Sequence, residues 1–186
     1  MTSDLSHIKS ALRAKARSKR EHFVAAQMGQ KWSPARAHFD DIFTTGATIA
    51  SYRAVASEAN PAAIDRAASA ANMRISYPRI DGDGVMRFYG LGPGGAMDKG
   101  YYGIDVPDKN GWLACPSVVL IPLLAFDRRG TRLGQGGGYY DRALASLPNA
   151  TRIGIAWSVQ EMAELPIDPW DVPLHYIATE KEWIRV

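Results

Sequence analysis

The chain has 186 residues, 46% of them hydrophobic, with one cysteine and a formal net charge of +3. This suits a single domain over residues 1–186 with a real core, and it excludes a disordered, collagen-like or disulfide-stapled protein. The longest apolar run, residues 118–126, is broken by Pro122 and falls well short of the about 20 residues of a membrane-spanning helix, the basic N-terminus lacks the apolar stretch of a secretory signal, and the lone Cys115 suits a reducing cytoplasm.

Residues 4–28 are expected to form a basic helix. Leu5, Ile8, Leu12, Ala16, Phe23 and Ala26 recur near the helical period, Ser3 or Asp4 can cap it, and Gly29 can stop it. The positive charge is concentrated here. Residues 1–38 hold eight Lys or Arg against two acids, whereas the remainder holds 14 against 17. A basic front on a mildly acidic body points to an anionic partner, whether RNA, membrane or nucleotide.

A second helix is predicted from Ser33-Pro34 to about Phe43, with proline at its first position. Residues 48–52 read as a short strand. Asn60-Pro61 opens a helix over 61–71, and residues 74–77 read as a strand ended by Pro78. Segment 79–111 carries eight glycines between Gly82 and Gly103, around short aromatic pieces, and is expected to be a hairpin with loops over the active face. Residues 117–124 (SVVLIPLL) have the near-continuous apolar, β-branched pattern of a strand buried on both faces. A glycine-rich loop, a helix over 138–147, a buried strand over 152–157, a helical turn over 160–164 and a last strand over 175–179 follow. Strands alternating with helices indicate an α/β layered fold.

Residues 120–142 carry the chemistry. A buried strand ends at Leu124, and five glycines follow before the next helix. Ligands of open α/β sheets gather at the carboxyl ends of strands. Glycines allow backbone N–H groups to approach an anion closely. Arg132 and Gly134–Gly138 therefore make a candidate phosphate cradle, with Asp127 and Asp141 able to offer oxygen to Mg²⁺. The plainer alternative is that the glycines only make turns and Asp141 caps a helix. The loop has neither a Walker A sequence nor a dinucleotide fingerprint.

The stretch LLAFDRRGTRLGQGGGYYDRAL, residues 123–144, closely resembles the signature of the 5-formyltetrahydrofolate cyclo-ligases, also called 5,10-methenyltetrahydrofolate synthetases. The resemblance extends in order along nearly the whole chain. Lys9 and Arg13, four apart, match its basic N-terminal element. Ser51-Tyr52 followed by Glu58 matches next. Residues 153–174, IGIAWSVQEMAELPIDPWDVPL, match its Gln, Leu-Pro and Asp pattern. Two departures stand out. Gly136-Gly137-Gly138 replaces a common Gly-Lys-Gly, so one phosphate-facing charge is missing. Asp105-Val106-Pro107 is only a weak counterpart of a Glu-Pro or Gln-Pro element, and no site is carried across there.

The resemblance implies a three-layer α/β/α sandwich with a mostly parallel central sheet, and an ATP- and Mg²⁺-dependent ligase acting on 5-formyltetrahydrofolate. It implies that Lys9, Arg13 and Arg132 through Leu133, Gly134, Gln135, Gly136, Gly137, Gly138, Tyr139 and Tyr140 hold ATP, with Arg132 catalytic. Folate would meet Glu58 and residues Gln135–Tyr139, and Asp141 and Asp171 would hold Mg²⁺. Tyr139 is the expected stacking partner, with Tyr140 in the core. Asp127 is expected to be structural, Cys115 a buried small hydrophobe, and Lys15, Arg17, Lys19 and Arg20 a solvated face. His7, His22, His38 and His175 match no catalytic position.

The partners expected are small molecules, with no nucleic acid or membrane, and the chain is expected to be a monomer in the cytoplasm. The competing readings are a non-catalytic folate- or nucleotide-binding paralogue, an RNA-binding module using the basic helix, and a sugar-phosphate isomerase or acyl-CoA transferase on a related fold. RNA binding is disfavoured because residues 1–20 lack interleaved aromatics for stacking. The isomerase or transferase reading lacks a glutamate nucleophile motif.

Overall fold

The computed structural model describes residues 2–35, 39 and 41–186, with side chains from Leu5 onward. Helix α1 (Thr2–Ala26) is followed by β1 (Thr48–Ala50), α2 (Ala62–Ala70), β2 (Arg74–Ile80) and β3 (Met86–Gly90). The short strands β4 (Met97–Lys99) and β5 (Asp105–Pro107) form an antiparallel pair. Next come β6 (Trp112–Ala114) and β7 (Val118–Pro122), then β8 (Ala125–Phe126) paired with β9 (Arg132–Leu133). Helix α3 (Tyr139–Ala145) leads to β10 (Thr151–Ile155), β11 (Tyr176–Ala178) and β12 (Trp183–Arg185).

Eight strands share one sheet in the order β12-β11-β10-β7-β1-β2-β3-β6. The central five, from β11 to β2, are parallel, and antiparallel strands flank them on both sides. Strand β7 shows why three layers form. Val118 and Leu120 pack with Trp32, Ile64 and Ala68 on one face, under α1 and α2. Val119 and Ile121 pack with Phe88, Ala143 and Leu144 on the other, under α3. This two-residue alternation of an all-apolar strand requires cover on both sides. Each fully buried Ile or Leu, such as Ile49, Leu120 and Ile153, contributes about 1.5–3 kcal/mol.

Most expected elements form, with instructive shifts. α1 ends at Ala26, and left-handed Met28 (φ 50°) and Gly29 (φ 82°) turn the chain away. The Ser3 or Asp4 cap lies outside the described side chains. At α2, which opens at Asn60-Pro61 as expected, Asn60 Oδ1 accepts the Ala62 N–H at 3.0 Å. Strand β2 continues through Pro78 to Ile80, because β1 pairs only with Arg74–Ser76. Beyond that point β2 is open on the β1 side, where a residue without an N–H is tolerated. The helical turn expected at 160–164 sits earlier, as a 3₁₀ turn at Ser158–Gln160.

The helix expected over 33–43 falls partly on residues 36–38 and 40, outside the described set, and the described part is not helical. The buried Trp32 indole donates to Ala156 O at 2.9 Å and the Ala35 N–H to Thr179 O at 2.9 Å. These bonds tie the segment to the sheet in an extended path, leaving a single turn in which Phe43 N–H donates to Phe39 O. Cys115 is exposed, because it lies in the link between β6 and β7 rather than in the core. Among the described residues no helix is long and apolar enough to cross a membrane.

Candidate active site

Helix α1 packs over the segments that leave the carboxyl ends of β7 and β10. Ala16 is buried against Leu124, Ala125 and Leu165. Around that anchor, Lys9, Arg13, Arg17 and Arg20 recur at spacings of four, four and three, which places them along one helix face. Each reaches a different segment. Lys9 Nζ meets Asp168 at 2.7 Å and Asp171 at 2.6 Å. Arg13 Nε donates to Gly134 O at 3.0 Å. Arg17 donates to Gln135 Oε1 at 2.6 Å. Arg20 donates to Ser57 Oγ at 3.0 Å and to Leu123 O at 3.3 Å. The expectation of a solvated face holds for Lys15 and Lys19, which are exposed. It fails for Arg17, which is exposed but engaged, and for Arg20, which is buried, because the stripe faces the loops rather than solvent.

The glycine loop is built for close approach. Gly136 has φ +104° and a Cβ there would lie 3.3 Å from the Arg13 guanidinium carbon, so no other residue fits that backbone without strain. Gly138, at φ +63°, starts α3 with no side-chain cap. Among the described residues no protein acceptor takes the backbone N–H groups of residues 134–138. A run of such N–H groups beside the Arg13 and Arg17 guanidinium groups could hold an anion with several oxygens. Asp141 is not a helix cap. Its Oδ1 accepts from Arg132 and from the Val172 N–H at 3.2 Å.

That last bond brings the two predicted metal carboxylates together, since Val172 follows Asp171. Arg132 also donates to the Val172 carbonyl. Its side chain is 6% exposed. Burial lowers its guanidinium from the ordinary value, opposed by the attraction of Asp141 and then Asp171. Burial also works against the charge on Lys9, but its hydrogen bonds to Asp168 and Asp171 outweigh that and hold the ammonium above its ordinary value. Each predicted metal carboxylate keeps one oxygen, Asp141 Oδ2 and Asp171 Oδ1, with no hydrogen-bond partner among the described residues. Two hard oxygen donors suit Mg²⁺, which binds one or two carboxylates and completes its shell with water and phosphate oxygens. Among the described residues no group of three or more His, Cys, Asp or Glu cages a metal alone.

Asp127 belongs to the frame. Its carboxylate is fully buried and accepts the N–H groups of Arg129, Thr131 and Leu165 at 3.0–3.1 Å, plus the Arg129 side chain. His175 Nδ1 accepts the Arg152 N–H at 3.3 Å, in keeping with a structural role.

The folate side of the expected site lies across the loop. Glu58 Oε2 accepts the Val55 N–H at 3.0 Å. Burial pushes its carboxyl up, opposed by that bond, by Arg20 and by Gln135. Tyr140 is half-buried beside Phe88, ring centroids 6.5 Å apart, and burial pushes its hydroxyl well up, with the Glu58 charge adding to that and the Arg132 charge opposing it. Tyr140, expected in the core, packs against the Phe88, Ala143 and Leu144 cluster, as does Tyr139, which lies beneath the Arg142 guanidinium, 5.0 Å from its ring. A cavity of about 600 Å³, lined by Arg79, Lys99 and Tyr101 among others, shares no residue with this site.

Comparison with known proteins gives the same direction throughout. The profile of the 5-formyltetrahydrofolate cyclo-ligase family matches residues 5–180. A 5-formyltetrahydrofolate cyclo-ligase of Haemophilus influenzae is 40% identical over 88 residues, 44% of this chain and 47% of that one, so the matched stretch spans about half of the relative. That of Mycolicibacterium smegmatis is 30% identical over 75% of this chain and 77% of its own. The solved 5,10-methenyltetrahydrofolate synthetase of Aquifex aeolicus superposes with a TM-score of 0.71 at 26% identity, over 96% of this chain and 92% of its own.

Proposed function

The chain belongs to the 5-formyltetrahydrofolate cyclo-ligase family, and from that premise we propose that it converts 5-formyltetrahydrofolate and ATP to 5,10-methenyltetrahydrofolate, ADP and phosphate. The observation that carries this reading is the basic face of α1 packed over a glycine loop, beside two carboxylates, where the loop N–H groups and one oxygen of each carboxylate have no partner among the described residues.

The chemistry follows from a poor leaving group. The formyl oxygen of the substrate attacks the γ-phosphorus of ATP, the bond to the β-phosphate oxygen breaks, and ADP departs. The folate N10 then attacks the activated formyl carbon. The carbon–oxygen bond to phosphate breaks, N10 loses its proton, and the cationic methenyl bridge remains. No enzyme nucleophile is needed, so this chain supplies position and charge. Lys9, Arg13 and the N–H groups of 134–138 hold the triphosphate. Arg132 presents a planar, permanent charge to the moving phosphoryl group. Asp141 and Asp171 would hold Mg²⁺, which when bound neutralises phosphate oxygens. Glu58 accepts from the donor-rich pterin ring, and Tyr140 lies between the two substrates.

In this arrangement Lys9 must exchange Asp168 and Asp171 for phosphate when the nucleotide arrives. Lys9→Gln is expected to raise the KM for ATP about tenfold or more with a smaller change in kcat, measured by initial rates over an ATP series. Asp141→Asn is expected to lower kcat at least about a hundredfold at temperatures well below its melting transition, and to lower the melting temperature because the buried Arg132 loses its paired carboxylate. Full activity in that variant would remove Asp141 from the site. Chelation of divalent cations should abolish turnover and excess Mg²⁺ restore it.

The reading itself is tested by mixing the purified chain with 5-formyltetrahydrofolate and MgATP and following the near-ultraviolet absorbance of the methenyl product. Absence of product from the active stereoisomer overturns it. Binding of both substrates without turnover would instead identify a non-catalytic paralogue.

A further inference from the structure

The fourth basic residue of the α1 stripe serves the folate half of the site. Arg20 is only 4% exposed, and among the described residues it forms no direct ion pair. Its donors span a gap. One bonds Ser57 Oγ at 3.0 Å, in the turn that ends in Glu58, and another bonds Leu123 O at 3.3 Å, just beyond β7. That turn is unusual. Ala56 is a non-glycine residue in the left-handed region, at φ 51°, which is unfavourable for a residue with a Cβ and persists only where the surroundings impose it. Here they do. Glu58 closes the turn through the Val55 N–H at 3.0 Å and its own N–H to Val55 O at 3.1 Å. Trp157 Nε1 donates to Ser57 O at 3.2 Å, and Arg20 donates to the Ser57 hydroxyl.

The charge needs a separate reason, because hydrogen bonds to a hydroxyl and a carbonyl do not require a cation. Burial works against the Arg20 guanidinium, and the first group that favours it is Glu58. Among the described residues, the groups whose charge or hydrogen bonds act on Glu58 are Arg20 from α1, Tyr52 from the segment after β1, Tyr140 from α3, Gln135 from the glycine loop and the Val55 N–H in its own turn, and Arg20 is the one cation among these.

We propose that Arg20 is a positioning residue for folate: its buried guanidinium locks the Val55–Glu58 turn and supplies the counter-charge that keeps the Glu58 carboxylate an acceptor for the pterin donors. The inference rests on the reading of Glu58 as a folate contact. Without Arg20 the burial of Glu58 is opposed by less, so its carboxyl moves further up and becomes protonated nearer neutral pH. A protonated Glu58 turns a donor toward a ring that is itself rich in donors.

The test measures KM for 5-formyltetrahydrofolate, KM for ATP and kcat from about pH 6 to 8.5 in Arg20→Gln, Arg20→Lys, Ser57→Ala, Glu58→Gln and the Arg20/Glu58 double variant. Arg20→Gln is expected to raise the folate KM about tenfold at pH 7, with ATP KM and kcat changed far less. The increase should grow toward pH 6 and shrink toward pH 8.5. Arg20→Lys should regain most of the parent's pH profile, and Ser57→Ala should show a small, pH-independent increase. In the Glu58→Gln background the Arg20 change should add little. If Arg20→Gln shifts folate and ATP KM equally, or shifts folate KM equally at every pH, Arg20 is a packing residue and the proposal is overturned. If Arg20→Gln does not fold, Arg20→Lys and Ser57→Ala decide it by the same profiles. If Glu58→Gln leaves the folate KM unchanged, the Glu58 reading fails first, independently of Arg20.

Discussion

Replacing Arg132 with lysine is expected to lower kcat about a thousandfold while leaving the fold in place, because catalysis of phosphoryl transfer depends on fixed charge at the transferring group. Arg132 holds three neighbours at once. It donates to Asp141 and to the Val172 carbonyl, and it feels the charge of Asp171. A planar fork can do this in one orientation, whereas an ammonium is a point charge on a flexible stem. Lysine keeps a positive charge beside Asp141, so no partly buried carboxylate is left unpaired, and the melting temperature should change little. The KM for ATP should rise less than kcat falls, since ground-state binding is shared with Lys9, Arg13 and the glycine loop. Single-turnover formation of the methenyl product at saturating MgATP and folate measures the effect. Retention of kcat within tenfold would restrict Arg132 to holding the 141 and 172 segments together.

The parts of the fold legible in the sequence are those with a dense local pattern. Residues 118–122 form a central strand because an unbroken apolar run demands cover on both faces, and α1 stops at Ala26, just before left-handed Met28 and Gly29 turn the chain away. The parts missed depend on distant partners. Nothing local in residues 33–35 says that the Trp32 indole will bond Ala156 or that the Ala35 N–H will bond Thr179, yet those bonds override the Ser-Pro helix signal. Pro78 stops a strand only where both neighbours are present, and the absence of β1 beyond Ser76 is a property of register, not of composition.

The candidate site divides the same way. Its residues were found through the ordered motif, and the fold does gather Lys9, Arg13, Arg132, Asp141 and Asp171 around one loop. The motif gave no hint that Lys9 would pair with Asp168 and Asp171, because those residues are 159 and 162 positions away. Arg17 and Arg20 could have been suspected, since they continue the spacing of Lys9 and Arg13 along one helix face. Their reading as solvated ignored that the stripe includes Ala16, a small residue suited to close packing. Tyr139 and Tyr140 both pack against the Phe88, Ala143 and Leu144 cluster, as expected of Tyr140 alone; adjacent residues at the start of a helix point about 100° apart, so local spacing does not show that both reach it.

The second large effect concerns stability. Asp127→Asn is expected to destabilise the protein by about 3 kcal/mol, since charge-assisted buried hydrogen bonds are worth about 1.5–3 kcal/mol each and an orphaned donor adds its own desolvation penalty. Asp127 is 0% exposed. One of its oxygens accepts the Arg129 and Thr131 N–H groups, and the other accepts the Leu165 N–H and an Arg129 guanidinium N–H. All four neighbours are donors. An asparagine amide keeps one oxygen but turns an NH₂ toward the other pair, so either the Leu165 N–H or an NH₂ proton loses its acceptor. Burial opposes the Asp127 charge, but the N–H donations outweigh it and hold its carboxyl below the usual carboxylate range. The folded value is depressed, so the stabilisation is present above the unfolded carboxylate range and fades as pH falls through the folded value. The gap between parent and Asp127→Asn should therefore be constant near neutrality and narrow in acid. At about 2–4 °C per kcal/mol for a chain of this size, the melting temperature should fall by about 6–12 °C at pH 7. The same carboxylate closes the 127–131 turn that leads into Arg132 by accepting the Thr131 N–H at 3.1 Å, beside the backbone bond from the Asp127 N–H to Thr131 O at 3.0 Å. Asp127→Asn should consequently lower kcat at temperatures well below its own melting transition, in proportion to the loosening of that turn. A gap between the two melting curves that widens rather than narrows toward pH 3 would contradict the assignment of Asp127 as a buried anion.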